Sequence, residues 1–251
     1  MSTLFKGLLR TVAQEMQNGN GRISTGKTPL PFELYAELAQ WMMCEGTAVG
    51  TFCHLFLVLS WNLACRSSNT KTIHYHHMGW VDDSLKVYFA HMKNDQSGER
   101  PRDPRHMYAN PFDCRVCAIL SVFTYFLVYP PSSTQSYLFP GNDQYNRYNK
   151  FLKTMLESKR EYVMQKYGIN VDHIGAHSSR KGASTYMTSG VVGVPSFNAV
   201  NIRCGWKMPG VTDTYCRYEA AGDLYCGRVL SGLPLSSFRF ATLPPKFIFP
   251  E

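Results

Sequence analysis

The sequence predicts a mainly α-helical protein of the α+β class, with one small antiparallel β-hairpin sheet. Several segments repeat apolar residues at the spacing of a helix. By contrast, residues 84–91 alternate apolar and polar side chains, as a strand with one buried face does. The turn-rich residues KNDQSG follow directly, so residues 84–91 are expected to form the first arm of a hairpin.

The second arm of the hairpin and the helices can be placed in chain order. The second arm, ERPRDPRHMY (99–108), contains two prolines, which suit only an edge strand or a loop. We expect the helix at 114–129 to be buried, because it is almost wholly apolar. The expected helices cover residues 1–16, 32–46, 49–65, 114–129, 146–168 and 178–190, with a linker at 17–28.

The composition is that of a globular chain able to bury a sizeable core. Of its 251 residues, 44% are hydrophobic and 18% are charged, which excludes a disordered protein. The net charge of +8 favours an anionic partner, either nucleic acid or an acidic membrane face. The N-terminus lacks the pattern of a secretory signal. The longest apolar run, 47–65, groups its polar residues on one face, so we interpret it as a buried helix rather than a membrane span.

Cysteine and histidine usage does not predict a metal site. Eight cysteines are scattered along the chain, and Cys53 and Cys65 lie in apolar runs, so we expect buried free thiols in a reducing compartment. The HYHH segment (74–77) has no cysteine or carboxylate partners at a ligand spacing. Cys114 and Cys117 form an isolated C-x-x-C pair, and a zinc site needs a second pair.

The segment GRISTGKT (21–28) matches the phosphate-loop pattern of nucleotide-binding proteins in full. That loop needs a strand before it and a helix directly after it. Here polar QNGN precedes the segment, and Pro29 and Pro31 follow it and disfavour a helix. We therefore keep an ATPase only as an alternative, which ATP hydrolysis would support.

Two short segments in the C-terminal half carry residues suited to phosphate chemistry. In HSSRKGAS, His177 and Arg180 are three residues apart, so on a helix both can donate to phosphate oxygens. In GWKMPGVTDTYCRYE, Trp206 precedes Tyr215 by nine residues. An indole N–H is a hydrogen-bond donor, and a phenol becomes a nucleophile when its surroundings lower its pKa.

Two further cations lie upstream. Arg66 ends an apolar helix and therefore needs an anion, a carboxylate or a path to solvent. Lys93 lies where the predicted strand gives way to the turn. Each of these residues is ordinary by itself, and the information lies in their order along the chain.

The order of Arg, hairpin Lys, His-x-x-Arg, Trp and Tyr resembles the tyrosine recombinase family, in which these six positions form the active site. The resemblance runs from about Thr28 to the end of the chain. Within the family the chain looks most like the Crypton-type recombinases of eukaryotic mobile elements. The segments that carry this resemblance are GKTPLPFELY (26–35), HMKNDQSGERPRDPRHMYANPF (91–112), HSSRKGAS (177–184) and GRVLSGLP (227–234).

The resemblance implies a covalent mechanism without metal or ATP. Tyr215 would attack the scissile phosphate and remain on the 3′ phosphate, while Lys93 would protonate the leaving 5′ oxygen. The phosphotyrosine conserves the bond energy, so rejoining needs no ATP. Of the two tyrosines in DTYCRYE, Tyr215 has the family's spacing from Trp206, and Tyr218 is expected to pack inside a helix.

The resemblance also implies a cationic clamp on the phosphate. Arg66 and Arg180 would hold the non-bridging oxygens, and His177 and Trp206 would complete the clamp. The chain departs from the family pattern in places. Trp206 stands where many members have His, and Lys181 stands where a second His is frequent. Asn69 stands where an acidic residue often braces the first arginine, which leaves the bracing of Arg66 open.

The expected organisation is an N-terminal helix and linker (1–27) followed by a catalytic domain with its C-terminal tail (28–251). The family's N-terminal DNA clamp would be nearly absent, as in a fragment, a shortened protein or an incomplete copy. The tail FRFATLPPKFIFPE (238–251) would dock on a neighbouring subunit or pack on its own domain. The expected partners are double-stranded DNA and three further copies in a tetramer, and the expected location is the nucleus if the host is eukaryotic and otherwise inside the cell with the DNA. A catalytically silent DNA-binding protein derived from such an enzyme is the alternative.

Overall fold

The structure, a computed structural model, describes residues 26–89, 103–132, 136–206, 216 and 218–236, with isolated positions between 7 and 18. It confirms the predicted class, because helices dominate and the described strands form one small antiparallel sheet. The helices are α1 (Phe32–Cys44), α2 (Ala48–Asn62), α3 (Ser67–Thr70), α4 (Ala118–Val128), α5 (Gln144–Ser158), α6 (Arg160–Tyr167), α7 (Ala176–Ser189), α8 (Phe197–Cys204) and α9 (Ala220–Leu230).

The sheet has three strands in the order β1 (Met78–Val81), β2 (Ser84–Val87) and β3 (Arg105–Tyr108). Strands β2 and β3 pair antiparallel with Val87 opposite Arg105, which confirms the predicted hairpin. Strand β3 begins directly after Pro104 and lies at the edge of the sheet, as its prolines require. Strand β1 was not predicted. It is short, and it joins β2 through a tight turn at Asp82, whose φ is 47°.

Helix α2 forms the centre of the core. Its side chains from Phe52 to Asn62 are buried, and it packs against α1, α4 and α7. Tyr35 of α1 stacks on Trp61 with 4.3 Å between the ring centroids. The interpretation of this apolar run as a buried helix is confirmed, and the helix is buried on all sides. No described helix combines the length and hydrophobicity that crossing a bilayer requires.

Two helix predictions need correction. The segment 146–168 was expected to be one helix, but the chain breaks at Lys159 into α5 and α6. The hydroxyl of Ser158 donates to the carbonyl of Met155, and such local bonds compete with the helical ladder. Helix α4 was expected to be buried throughout. In the structure only one face of α4 packs against the core. Tyr125 on that face is fully buried, whereas Leu127 is 87% exposed.

Two glycines allow the close packing that brings the site elements together. A Cβ on Gly182 of α7 would lie 2.1 Å from the carbonyl oxygen of Leu30, so the segment before α1 crosses α7 at backbone contact. A Cβ on Gly227 of α9 would lie 2.3 Å from the carbonyl oxygen of His106 in β3. Any larger residue at these positions would force α7 or α9 outward.

Candidate active site

Arg66 follows the end of the buried helix α2. Ala64 has a φ of 46°, a left-handed conformation that turns the chain, and Arg66 then precedes the short helix α3. The Arg66 side chain is half-buried. No carboxylate among the described residues pairs with it.

His177 and Arg180 lie in the first turns of α7, as the sequence predicts. The Ser178 hydroxyl accepts from the backbone N–H of Gly175 at 3.1 Å, which fixes the start of the helix. His177 is exposed and Arg180 is half-buried, so one side chain faces solvent while the other turns inward. Arg180 donates through Nη2 to the carbonyl oxygen of Cys204 at 2.5 Å.

Arg66 and Arg180 lie within electrostatic range of each other although they are far apart in the sequence. Burial lowers the pKa of Arg180, and the charge of Arg66 lowers it further. Like charges repel, so an anion bound near both guanidinium groups would be stabilised by each of them. The positive end of the α7 dipole adds to the local potential. The arrangement is therefore suited to a dianionic or monoanionic group such as a phosphate.

Trp206 follows α8 and is half-buried against the core. Gly205, with a φ of 63°, ends α8 in the left-handed conformation typical of a helix C-terminus. Trp206 is thereby placed two residues after Cys204, whose carbonyl holds Arg180. The structure thus brings together Arg66 and Arg180, with His177 on the same helix as Arg180 and Trp206 beside Cys204.

Two predicted site residues lie outside the described residues. Lys93 falls between Phe89 and Asp103, in the connection of the β2–β3 hairpin. Tyr215 falls between Trp206 and Cys216. Their roles stay predictions, and the described residues fix only the ends of the two segments that contain them.

Tyr218, the rival nucleophile, lies just before α9, whose N-cap is Glu219. The expectation that Tyr218 sits inside a helix is therefore wrong. Its hydroxyl is nevertheless buried and has no hydrogen-bond partner. Burial raises the pKa of Tyr218, and the carboxylates of Asp223 and Asp103 raise it further. A phenol held protonated in this way is a poor nucleophile, which is consistent with the expected packing role.

A buried polar cluster beside the site was missed by the sequence analysis. We call Arg105, His106, Arg203 and Asp223 the inner network. Arg203 is 1% exposed and pairs with Asp223, with 2.6 Å between Nη1 and Oδ1. His106 donates to Asp223 Oδ2 through its backbone N–H at 2.8 Å and through Nδ1 at 2.9 Å. One signal was available: Arg203 stands among apolar residues of a helix, as Arg66 does.

The described residues do not support the nucleotide-binding or metal alternatives. The phosphate-loop pattern requires a helix to begin directly after it, but residues 28–31 are not helical. The lysine of the pattern, Lys27, donates to the carbonyl of Asp172. The rings of His74, His76 and His77 lie 4.4 to 4.9 Å apart. Within the described ranges, no group of three or more His, Cys, Asp or Glu side chains is arranged to hold a metal ion.

Comparison with known proteins shows the fold. No family model matches the chain, and no curated protein matches it. The FLP recombinase–Holliday junction complex matches with a TM-score of 0.53 and 12% identity, covering 92% of this chain and 57% of that one. The pre-cleavage complex of the XerH site-specific recombinase with difH matches with a TM-score of 0.48 and 12% identity, covering 77% of this chain and 51% of that one. Its post-cleavage complex with a palindromic difH matches with a TM-score of 0.48 and 11% identity, covering 85% of this chain and 52% of that one. The chain spans just over half the length of these proteins and shares the fold of tyrosine recombinase catalytic domains.

Proposed function

We propose that this chain, which has the fold of tyrosine recombinase catalytic domains, cleaves and rejoins DNA strands through a covalent phosphotyrosine. The observation that carries the proposal is that, on this fold, Arg66 and Arg180 lie within electrostatic range of each other and pair with no carboxylate among the described residues. The resemblance to the family assigns both arginines to the clamp on the scissile phosphate.

The arginine pair supplies the electrostatic part of the reaction. Attack on a phosphodiester builds negative charge on the non-bridging oxygens, and guanidinium groups donate to both oxygens in a fixed geometry. The half-buried setting strengthens these interactions, because less water screens them. His177 at the start of α7 and Trp206 after α8 complete the clamp in this proposal.

Tyr215 is the proposed nucleophile and Lys93 the proposed general acid. The tyrosine hydroxyl passes its proton to His177, its oxygen forms a bond to phosphorus as the bond to the 5′ oxygen breaks, and Lys93 gives that 5′ oxygen a proton. The phosphotyrosine conserves one phosphodiester bond, so the reverse attack by a 5′ hydroxyl restores the strand without ATP. The cationic clamp supplies the charge that a divalent metal supplies in other phosphoryl-transfer enzymes.

The proposed substrate is double-stranded DNA, and the proposed active form is a homotetramer. The net charge of +8 favours the DNA backbone. Lys27 and Lys181 add positive charge beside α7, where Lys27 donates to the carbonyl of Asp172 and Lys181 donates to the carbonyl of Lys27. The FLP structure is a Holliday junction complex, a product of strand exchange. A Crypton-type element protein acting in the nucleus is the finer form of this proposal.

The experiment that tests the proposal is a search for the covalent adduct. The protein is incubated, with chelator present, with a pool of random-sequence duplexes that carry 5′-bridging phosphorothiolate linkages. The thiolate leaves without protonation and does not attack again, so adducts accumulate even if Lys93 is slow. We expect an adduct that survives denaturation, with the nucleotide on Tyr215 by peptide mapping.

Two variants complete this test. Tyr215→Phe should abolish the adduct and keep DNA affinity, whereas Tyr218→Phe should keep both. DNA binding without any adduct would replace the proposal with a catalytically silent DNA-binding protein. A nucleotide on Tyr218 would overturn the assignment of the nucleophile.

A further inference from the structure

The inner network connects four parts of the fold. Arg203 belongs to α8, Asp223 to α9, His106 to β3, and all three are buried. Arg203 also donates through Nη2 to the carbonyl oxygens of Asn62, at 2.7 Å, and His106, at 2.8 Å. One guanidinium therefore holds α8 against the end of α2, against β3 and against α9.

Each of these contacts lies close in sequence to a residue of the proposed site. Asn62 ends α2 four residues before Arg66, and Arg203 is the penultimate residue of α8, three residues before Trp206. His106 lies in the second arm of the hairpin whose connection contains Lys93. Asp223 lies in the first turn of α9, eight residues after Tyr215. Arg203 thus links the supports of catalytic groups that reach the site from separate elements.

The network also caps the end of α2. The last carbonyls of a helix lack partners within the helix and carry partial negative charge. Arg203 satisfies the carbonyl of Asn62, and Arg105 donates to the carbonyl of Leu63 at 2.8 Å. Two buried arginines therefore bind the carbonyl end of α2, just before Arg66 in the chain.

Charge balance keeps the network in place. Burial alone would raise the pKa of Asp223, but the charge of Arg203 and the hydrogen bonds from His106 hold it below its usual range. Asp223 is therefore ionised at neutral pH and neutralises Arg203. A buried ion pair adds little net stability compared with apolar packing, but its hydrogen-bond directions fix one arrangement of the elements around it.

We propose that Arg203 and Asp223 are positioning residues of the strand-transfer reaction: they set the register of α2, β3, α8 and α9 so that Arg66, Arg180 and the tyrosine segment meet on one phosphate. The inference rests on the proposed function. It assigns to the pair an effect on the rate of cleavage rather than on DNA affinity, because neither side chain reaches the surface. Small displacements of reacting groups slow chemistry strongly.

The test replaces the pair with apolar residues of similar size, Arg203→Met together with Asp223→Leu. Such replacements of buried ion pairs commonly preserve folding. Three quantities are measured: the unfolding temperature, the affinity for the duplex pool, and the single-turnover rate of adduct formation at saturating protein. We expect nearly unchanged affinity and cleavage about 10- to 100-fold slower, at a temperature well below unfolding.

Arg203→Lys and a second ion pair provide the controls. Lysine keeps the charge but cannot donate to Asp223, Asn62 and His106 in one plane, so its cleavage rate should lie between those of the wild type and the double variant. Arg115 and Asp113 form another arginine–aspartate ion pair, partly exposed and at 2.8 Å, before α4, and Arg115→Met with Asp113→Leu should cleave as the wild type does.

The outcomes separate this inference from the proposed function. If the wild type forms no adduct, the proposed function fails and the inference with it. If the wild type forms the adduct and both Arg203 variants form it at the wild-type rate, the inference alone fails. Equal losses of affinity and rate would also overturn it, since they indicate a general loss of structure. If the double variant does not fold, Arg203→Lys decides. A larger loss of cleavage rate than of DNA affinity in that variant supports the inference, and equal losses overturn it.

Discussion

Two pairs of arginines lie at the junction of α2, α7 and α8, and they differ in what surrounds their charge. Arg203 and Arg105, in the inner network, are buried among carbonyls, a carboxylate and an aromatic ring, with the Arg105 guanidinium 4.7 Å from the ring centroid of Phe89. Arg66 and Arg180 are half-buried near each other, and no described carboxylate pairs with them. The first pair binds backbone carbonyls and, through Arg203, the carboxylate of Asp223, whereas in the second pair Arg180 binds the carbonyl of Cys204 and neither arginine pairs with a described carboxylate.

The comparison teaches that burial alone does not distinguish a structural arginine from a functional one. Burial removes hydration from both pairs, but among the described residues only the inner pair gains a carboxylate partner, Asp223 on Arg203. Burial lowers the pKa of Arg105 to about 10, yet it stays charged at neutral pH. An arginine whose cost is not offset internally marks the place where a ligand completes the structure.

The largest expected effect comes from breaking the inner pair on one side. Asp223→Ala leaves the Arg203 charge buried without a partner, so the free energy of unfolding should fall by about 3–5 kcal/mol. Urea unfolding measures this. Asp113→Ala, which breaks a partly exposed ion pair, should cost at most about 1 kcal/mol. Equal losses in the two variants would remove the distinction between buried and exposed pairs.

Removing an outer arginine should affect activity and spare stability. Arg66→Ala takes away a donor to the developing phosphate charge, so adduct formation should slow by about 10²–10³-fold. Its unfolding free energy should not fall, because no described carboxylate loses a partner. Arg147→Ala, which removes an exposed arginine packed on Phe52, is the matched control and should react normally. An Arg66 variant that unfolds easily but cleaves normally would reverse the comparison.

The pH dependence of stability should identify Asp223. Because the pKa of Asp223 is lowered in the folded state, its contribution is fully present above the unfolded value of about 3.9 and is lost as pH falls through the folded value. At pH values below about 4, the urea concentration at the unfolding midpoint of the wild type should therefore be lower than at neutral pH. Asp223→Asn should be less stable at neutral pH and lose less on acidification. A variant with the same acid response as the wild type would show that other carboxylates dominate.

The smallest effect is expected at Tyr218. Its buried hydroxyl has no hydrogen-bond partner, so Tyr218→Phe should raise the free energy of unfolding by about 1 kcal/mol. Tyr225→Phe is the matched control and should lower the free energy of unfolding, because the Tyr225 hydroxyl donates to the carbonyl of Gly193 at 2.7 Å. Thermal unfolding compares the two. A destabilised Tyr218→Phe would mean that its hydroxyl does have a partner.

Local pattern was enough to predict most elements and the order of the site residues. The hairpin at 84–108 and the buried helix α2 were predicted because alternation and continuous apolar runs are local properties of the chain. Cys53 and Cys65 were predicted to be buried for the same reason, and both are. The break at Lys159 and the strand β1 were missed, since each depends on contacts with other segments rather than on its own composition.

The sequence by itself determined which residue types are present, in which order, and on which kind of element: Arg66 after an apolar helix, and His177 and Arg180 on one helix start. It could not determine which arginines have partners, because Arg203 and Arg66 look alike in sequence, each following apolar residues. That distinction was decided by the tertiary structure. Asp223 reaches Arg203 across a turn and a helix boundary, and Asn62 offers its carbonyl only because α2 ends there. Whether a buried charged side chain finds an ion-pair or hydrogen-bond partner depends on the distances between helices and strands, and the fold alone fixes those distances.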